Sequence, residues 1–139
     1  MEANEVSWSY AQLDLVPAPV VGVVVDTPRG RFPEKEEAQI RVDTGYEGFL
    51  LLKDDLYSDL GFRLSEVPRR FWPIGVTVSG EVFTLRRALV VIHIPKARMR
   101  LGGYVDTFRG NMEDLLGLKF LDKLRLLLDG PTQRAQLIE

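Results

Sequence analysis

The alternation Ala38-Gln39-Ile40-Arg41-Val42 breaks off at Asp43-Thr44-Gly45, and apolarity resumes a few residues later in Phe49-Leu50-Leu51-Leu52. A period of two marks a strand, and a short continuous apolar run marks a strand covered on both faces. The pattern therefore commits the chain to two strands joined by a tight turn that carries a carboxylate, where backbone amides can hold it. By average composition, such a triplet turns up by chance in roughly a few per cent of chains this long. Its place between two strands narrows the chemistry as well as the fold.

Most of the remaining segments also read as short strands. Residues 20–25, Val-Val-Gly-Val-Val-Val, are β-branched around Gly22 and end in the turn residues Asp26-Thr27-Pro28-Arg29-Gly30. Residues 34–37 are charged and predict an exposed loop. Residues 54–60 predict a short helix, with Leu56 and Leu60 four apart, Asp54 as N-cap and Gly61 as the stop. Pro68 and Pro73 bracket an irregular stretch around Phe71-Trp72. Residues 76–78 and 82–85 read as arms of a hairpin around Ser79-Gly80-Glu81. Residues 88–94 form a strand stopped by Pro95. Residues 96–110, basic and glycine-containing, predict a loop enclosing a strand around Met99-Arg100-Leu101. Helical spacing over 118–124 leads into a strand at 125–129, a turn at Gly130-Pro131-Thr132 and a return strand at 134–138. The expectation is one mostly β domain over residues 1–139 with one or two short helices, the first 17 or so residues forming an N-terminal extension.

At 139 residues such a domain buries a core without disulfides or a structural metal, and there are no cysteines to supply thiol chemistry. A single histidine, His93, excludes a multi-histidine metal centre within one subunit. The net charge of −2, from 18 basic and 20 acidic residues, offers no broad positive field for nucleic acid. Residues 1–4 carry acid where a signal peptide would carry base, and the apolar stretch 15–25 is short and holds Pro17, Pro19 and Gly22. The expected setting is cytoplasmic, with no membrane and no nucleic acid as partner.

These residues reach a family. Asp43-Thr44-Gly45 after a strand, Gly48-Phe49-Leu50 leading into another, and Leu115-Leu116-Gly117 opening a short helix before the strand at 124–129 together resemble the retropepsin-like aspartic proteases. The order spans residues 20–138, and Tyr46-Glu47-Gly48-Phe49-Leu50 is most similar to small, microbial, single-domain members. The resemblance implies a closed β-barrel of retropepsin type and an endopeptidase that needs no metal or organic cofactor and acts on a peptide or unfolded protein. It implies that Asp43 is catalytic, that Thr44 and Gly45 hold the carboxylates coplanar, and that Leu115, Leu116 and Gly117 support them from beneath. It further implies that the hairpin at Val78, Ser79 and Gly80 is a flap over substrate, with Ile74-Gly75 as a rival tip.

The chemistry has its own logic. Hydrolysis without metal or covalent intermediate needs one group to take a proton from water and another to give one to the carbonyl oxygen. Two facing carboxylates that share a proton do both, because like charges so close cannot both ionise. This chain holds one triplet. Asp26-Thr27-Pro28 lacks the third amide, and Phe108 in Asp106-Thr107-Phe108 blocks a close turn. The resemblance therefore implies a two-fold homodimer in which each subunit supplies Asp43.

Tyr46 departs from the Ala, Ser or Thr that usually follows the triplet. A hydroxyl from Ser or Thr there would bond the carboxylate and favour its ionised form, so its loss predicts a less acidic activity optimum. The phenol either packs away or occludes the site. In the latter case the alternative is an inactive retropepsin-fold domain that binds an extended peptide or protein partner. His93 reads as a packed or edge residue. Arg86-Arg87 and the Lys96, Arg98, Arg100 set read as solvated faces, the latter on one side of a strand. Trp8, Tyr10, Phe71 and Trp72 are assigned to packing.

Overall fold

The computed structural model describes residues 5–13 and 15–138. β1 (Val6–Ser9), β2 (Ala11–Gln12) and β3 (Pro17–Ala18) precede the long β4 (Val20–Thr27), which turns back into β5 (Gly30–Phe32). β6 (Ala38–Val42) and β7 (Leu50–Leu51) flank the Asp43 segment, and α1 (Asp54–Asp59) follows. β8 (Ile74–Val76) and β9 (Val82–Thr84) form one hairpin, β10 (Arg86–Ile94) and β11 (Met99–Thr107) a longer one. β12 (Leu115–Leu116), α2 (Leu118–Leu121), β13 (Leu126–Asp129) and β14 (Arg134–Leu137) complete the order.

Six strands close on themselves in the order β4-β6-β12-β7-β11-β10, because β10 returns to β4 through Val91↔Asp26, Ile92↔Val25 and His93↔Val24. Closure removes the free edges that an open sheet would present. Val20, Val21, Val23, Val25, Ile40, Leu50, Val90, Ile92 and Val105 are buried within one contiguous core. Phe120 of α2 meets Phe49 edge-on, and Tyr57 of α1 packs on Phe62. This mostly β closed barrel with two short α-helices is the predicted class. Among the described residues, no helix is long and apolar enough to cross a membrane.

The structure departs from the sequence reading at several elements. Part of the expected N-terminal extension is integral: β1 pairs antiparallel with β14 and places Trp8 opposite Ala135, both buried. Four residues of alternation were too few to announce that strand. Residues 96–110 predict a loop enclosing a short strand around Met99-Arg100-Leu101; that strand is present but runs on as the nine-residue β11, paired with β10 along its whole length, Arg86↔Thr107 through Ile94↔Met99. Gly102 and Gly103 hid its continuation, although the Phe49 ring occupies the space a side chain at Gly103 would need. Asp54 is the first helical residue of α1 rather than its cap, and its Oδ2 accepts the Gly110 amide at 3.1 Å. The helix expected over 118–124 ends at Leu121.

Candidate active site

β6 carries the chain to Asp43, whose amide donates to the Leu116 carbonyl at 2.9 Å. The chain then turns: the Tyr46 amide returns to the Asp43 carbonyl at 3.2 Å, and the Gly45 amide donates to Asp43 Oδ1 at 2.7 Å. The carboxylate is therefore held by its own turn. Asp43 is half-buried, while Thr44 and Gly45 are exposed. Gly45 is not among the glycines with positive φ, so close approach is what the position requires. A Cβ there would lie 3.0 Å from Asp43 Oδ1.

The second motif passes directly beneath. β12 inserts between β6 and β7, parallel to the first (Leu116↔Val42) and antiparallel to the second (Leu116↔Leu50). Leu115 and Leu116 are buried. The amides of Gly117, Leu118 and Lys119 then bond the carbonyls of Phe49 (3.1 Å), Tyr46 (2.8 Å) and Gly48 (3.0 Å). The otherwise unpaired N–H groups that begin α2 are thus spent on the loop that follows Asp43. Gly117 has to be glycine on steric grounds, since a Cβ would run into the Gly48 carbonyl and the Tyr46 ring.

Tyr46 packs inward. Its hydroxyl donates to Asp106 Oδ2 at 2.7 Å and is therefore not engaged with the Asp43 carboxylate. Asp106 is 1% exposed and is clasped by Arg87 through two bonds, Nε to Oδ1 at 2.7 Å and Nη2 to Oδ2 at 3.0 Å. Arg87 in turn lies 4.6 Å above the Tyr104 ring. Burial, reinforced by the Asp106 carboxylate, pushes the Tyr46 phenol far above its ordinary range. The hydrogen bond to Asp106 raises Arg87 as well. A parallel set stands beside it: Arg86 binds Glu66 with two 2.7 Å bonds, and Glu66 accepts the Tyr57 hydroxyl at 2.9 Å. Burial first, then that bond, raises the Tyr57 phenol.

Arg86 and Arg87 are therefore not a solvated face. Sequence reasoning missed them because their partners come from elsewhere in the chain and only the fold assembles them. Asp106 and Thr107 lie inside β11 rather than on a turn, with Thr107 Oγ1 donating to the Leu52 carbonyl at 2.7 Å.

The 74–84 hairpin is present with its arms set two residues earlier on the incoming side than the sequence suggested. Its tip runs through Val78, Ser79 and Gly80, all exposed, with Gly80 at φ 89°. Thr77 closes the tip by donating its amide to the Glu81 carbonyl and accepting from the Gly80 amide, both at 2.9 Å. Ile74 and Gly75 lie in the first arm and are not the tip. The Phe83 ring lies across Gly75 and meets Phe108 at 4.8 Å. Phe83, Phe108 and Tyr46 pack against buried Leu51, Leu85 and Leu115. The base of the hairpin thus shares one cluster with the residue that follows the triplet and with the second motif.

Other singled-out residues fall outside this region. His93 Nε2 lies 2.8 Å from Asp26 Oδ2, and the other oxygen of that carboxylate is 3.4 Å from Arg31, a pairing at the barrel surface. Lys96 and Arg98 lie in the turn after β10, and only Arg100 is in a strand, so the three do not share a strand face. Trp8 is core and Trp72 donates to the Val67 carbonyl at 2.9 Å, but Phe71 is exposed. A groove between the 95–99 turn and the 122–125 segment is lined by Lys96, Met99, Lys123, Leu124 and Ile138, and includes none of the Asp43 constellation.

No family model matches the chain. Among solved structures, the EIAV protease complexed with the inhibitor HBY-793 aligns with a TM-score of 0.48 at 16% identity, over 81% of this chain and 93% of that one. An uncharacterized protein of Archaeoglobus fulgidus is 30% identical over 113 residues, which cover 80% of this chain and 86% of that protein. This chain belongs to the family of that archaeal protein.

Proposed function

We propose that the chain is one subunit of a homodimeric aspartic endopeptidase, with the two Asp43 carboxylates meeting on the symmetry axis. The observation that carries this reading is the setting of Asp43. It is a half-exposed carboxylate on a tight turn, held through Oδ1 by the Gly45 amide and seated on the end of β12. The other two Asp-Thr pairs are committed elsewhere, Asp26 to His93 and Arg31, Asp106 to Arg87 and Tyr46. One chain therefore offers half of a dyad.

In the dimer, one Asp43 takes a proton from water as that water attacks the scissile carbonyl, and its mate gives a proton to the carbonyl oxygen. The pair titrates as a unit. The hairpin closes over an extended peptide and excludes bulk solvent, its backbone adding strand-like hydrogen bonds. With its hydroxyl bound to Asp106, Tyr46 does not take the place of a Ser or Thr donor to the dyad, which supports an optimum less acidic than that of pepsin-type enzymes.

The test compares wild type and Asp43→Asn on casein across a wide pH range, with and without a statine inhibitor. Cleavage by wild type that the inhibitor blocks and the substitution abolishes supports the protease. Cleavage by neither protein at any pH sinks it, and leaves a domain that binds extended peptides without cutting them.

A further inference from the structure

Phe83 in β9, Leu85 just after it and Arg87 at the start of β10 are spaced two apart along the chain that leaves the hairpin, so where that chain is extended they share one face. All three converge on Tyr46. Phe83 and Leu85 belong to the cluster that contains it, and Arg87 reaches its hydroxyl through buried Asp106. On its other side Tyr46 is bonded into the carboxylate turn, its amide on the Asp43 carbonyl and its carbonyl on the Leu118 amide. The chain also keeps glycine at 48 and 117, where any Cβ would collide with the Tyr46 side chain. A residue that only filled space would not need two glycines, a buried ion pair and three alternate positions from the end of β9 to the start of β10 arranged around it.

From this convergence we propose that Tyr46 is a positioning residue that couples the hairpin to the Asp43 turn, so that the placement of one fixes the placement of the other. The functional meaning rests on the reading of Asp43 as catalytic and the hairpin as lid. The coupling itself is a property of the folded subunit and is measurable without any cleavage. Asp106 transmits it because its carboxylate is buried and held on both oxygens, by Arg87 on each and by the phenol on Oδ2. Phe83 transmits it through ring contact with Phe108 in the same cluster.

The experiment reads amide hydrogen exchange by NMR at Gly45 and Tyr46 on the turn and at Thr77, Gly80 and Leu85 on the hairpin. Two variants act from opposite ends. Tyr46→Phe keeps the ring and removes the bond to Asp106, while Phe83→Leu leaves that network whole. Coupling between two sites is reciprocal. Tyr46→Phe is therefore expected to accelerate exchange several-fold on the hairpin as well as the turn, and Phe83→Leu to do so at Gly45 and Tyr46, with Ile92 in the barrel unchanged. In the double variant the acceleration should fall short of the product of the two single effects, which independent packing losses would give. Acceleration confined to each variant's own segment, or a double effect equal to the product, overturns the proposal. Phe83 lies outside the main core, so Phe83→Leu alone keeps the test decisive should Tyr46→Phe fail to fold. Because no step needs substrate, failure here is distinct from failure of the casein assay.

Discussion

At the scale of single residues, the phenols of partly buried Tyr46 and fully buried Tyr57 set a limit on stability at high pH. Tyr46 and Tyr57 are both held neutral, each by burial first and then by a carboxylate neighbour. An unfolded tyrosine titrates near about 10. Below that pH the phenols are protonated in folded and unfolded chains alike, and their contribution is complete. Above it the unfolded chain releases protons that the folded chain keeps, so the folded state binds more protons and loses stability as pH rises. Each phenol adds up to about 1.4 kcal/mol of loss per pH unit. Guanidinium unfolding between about pH 10 and about 11.5 should therefore fall less steeply for Tyr46→Phe than for wild type, by up to one such increment per unit. Parallel slopes would mean that the phenol ionises in place.

At the scale of elements, adjacent residues at the start of β10 make contrasting ion pairs. Arg87 faces Asp106, which is 1% exposed, whereas Arg86 faces Glu66, whose side chain is 11% exposed with Arg86 itself at 33%. Arg87→Met would leave a buried carboxylate with only the Tyr46 hydroxyl and should cost about 3–5 kcal/mol. Arg86→Met leaves an acid nearer to water and should cost about 1 kcal/mol. Replacing both Arg87 and Asp106 by apolar residues should recover much of the larger loss, since the penalty lies in the stranded charge. Urea unfolding of these variants checks the ranking. Equal costs for Arg86→Met and Arg87→Met would show that Asp106 finds water when its partner goes.

These pairs also mark where sequence reading stops. The Asp43 turn, the 74–84 hairpin and the stop at Gly61 were legible because each is decided within a few residues, by a side chain bonding its own backbone or by a glycine at φ 86°. Closing the barrel, by contrast, brings Arg87 opposite Asp106 and Tyr46 to the same carboxylate, 60 positions away along the chain. Two arginines side by side look identical to a solvated face until that closure is known. The resemblance singled out Asp43-Thr44-Gly45 and Leu115-Leu116-Gly117 as expected site residues. It gave no sign that the residue after the triplet was tied to a buried acid.

At the scale of the whole molecule, the function depends on whether one subunit or two make the site. If each Asp43 worked alone, inactive subunits mixed into the wild type would lower activity in proportion to their share. If both are required on a two-fold axis, only pairs of wild-type subunits cleave, and activity follows the square of the wild-type fraction. An equal mixture with Asp43→Asn, unfolded and refolded together so that subunits redistribute, should retain about a quarter of the activity of wild type alone, against about half for independent subunits. The same mixture prepared without exchange should retain about half at first and drift toward a quarter as dimers re-form, which separates the symmetry argument from any loss in refolding. The substituted subunit is suited to this role. The amide side chain that Asp43→Asn introduces would keep an oxygen to accept the Gly45 N–H that now bonds Oδ1, so the turn and the face it presents persist while the second proton-transfer group is lost.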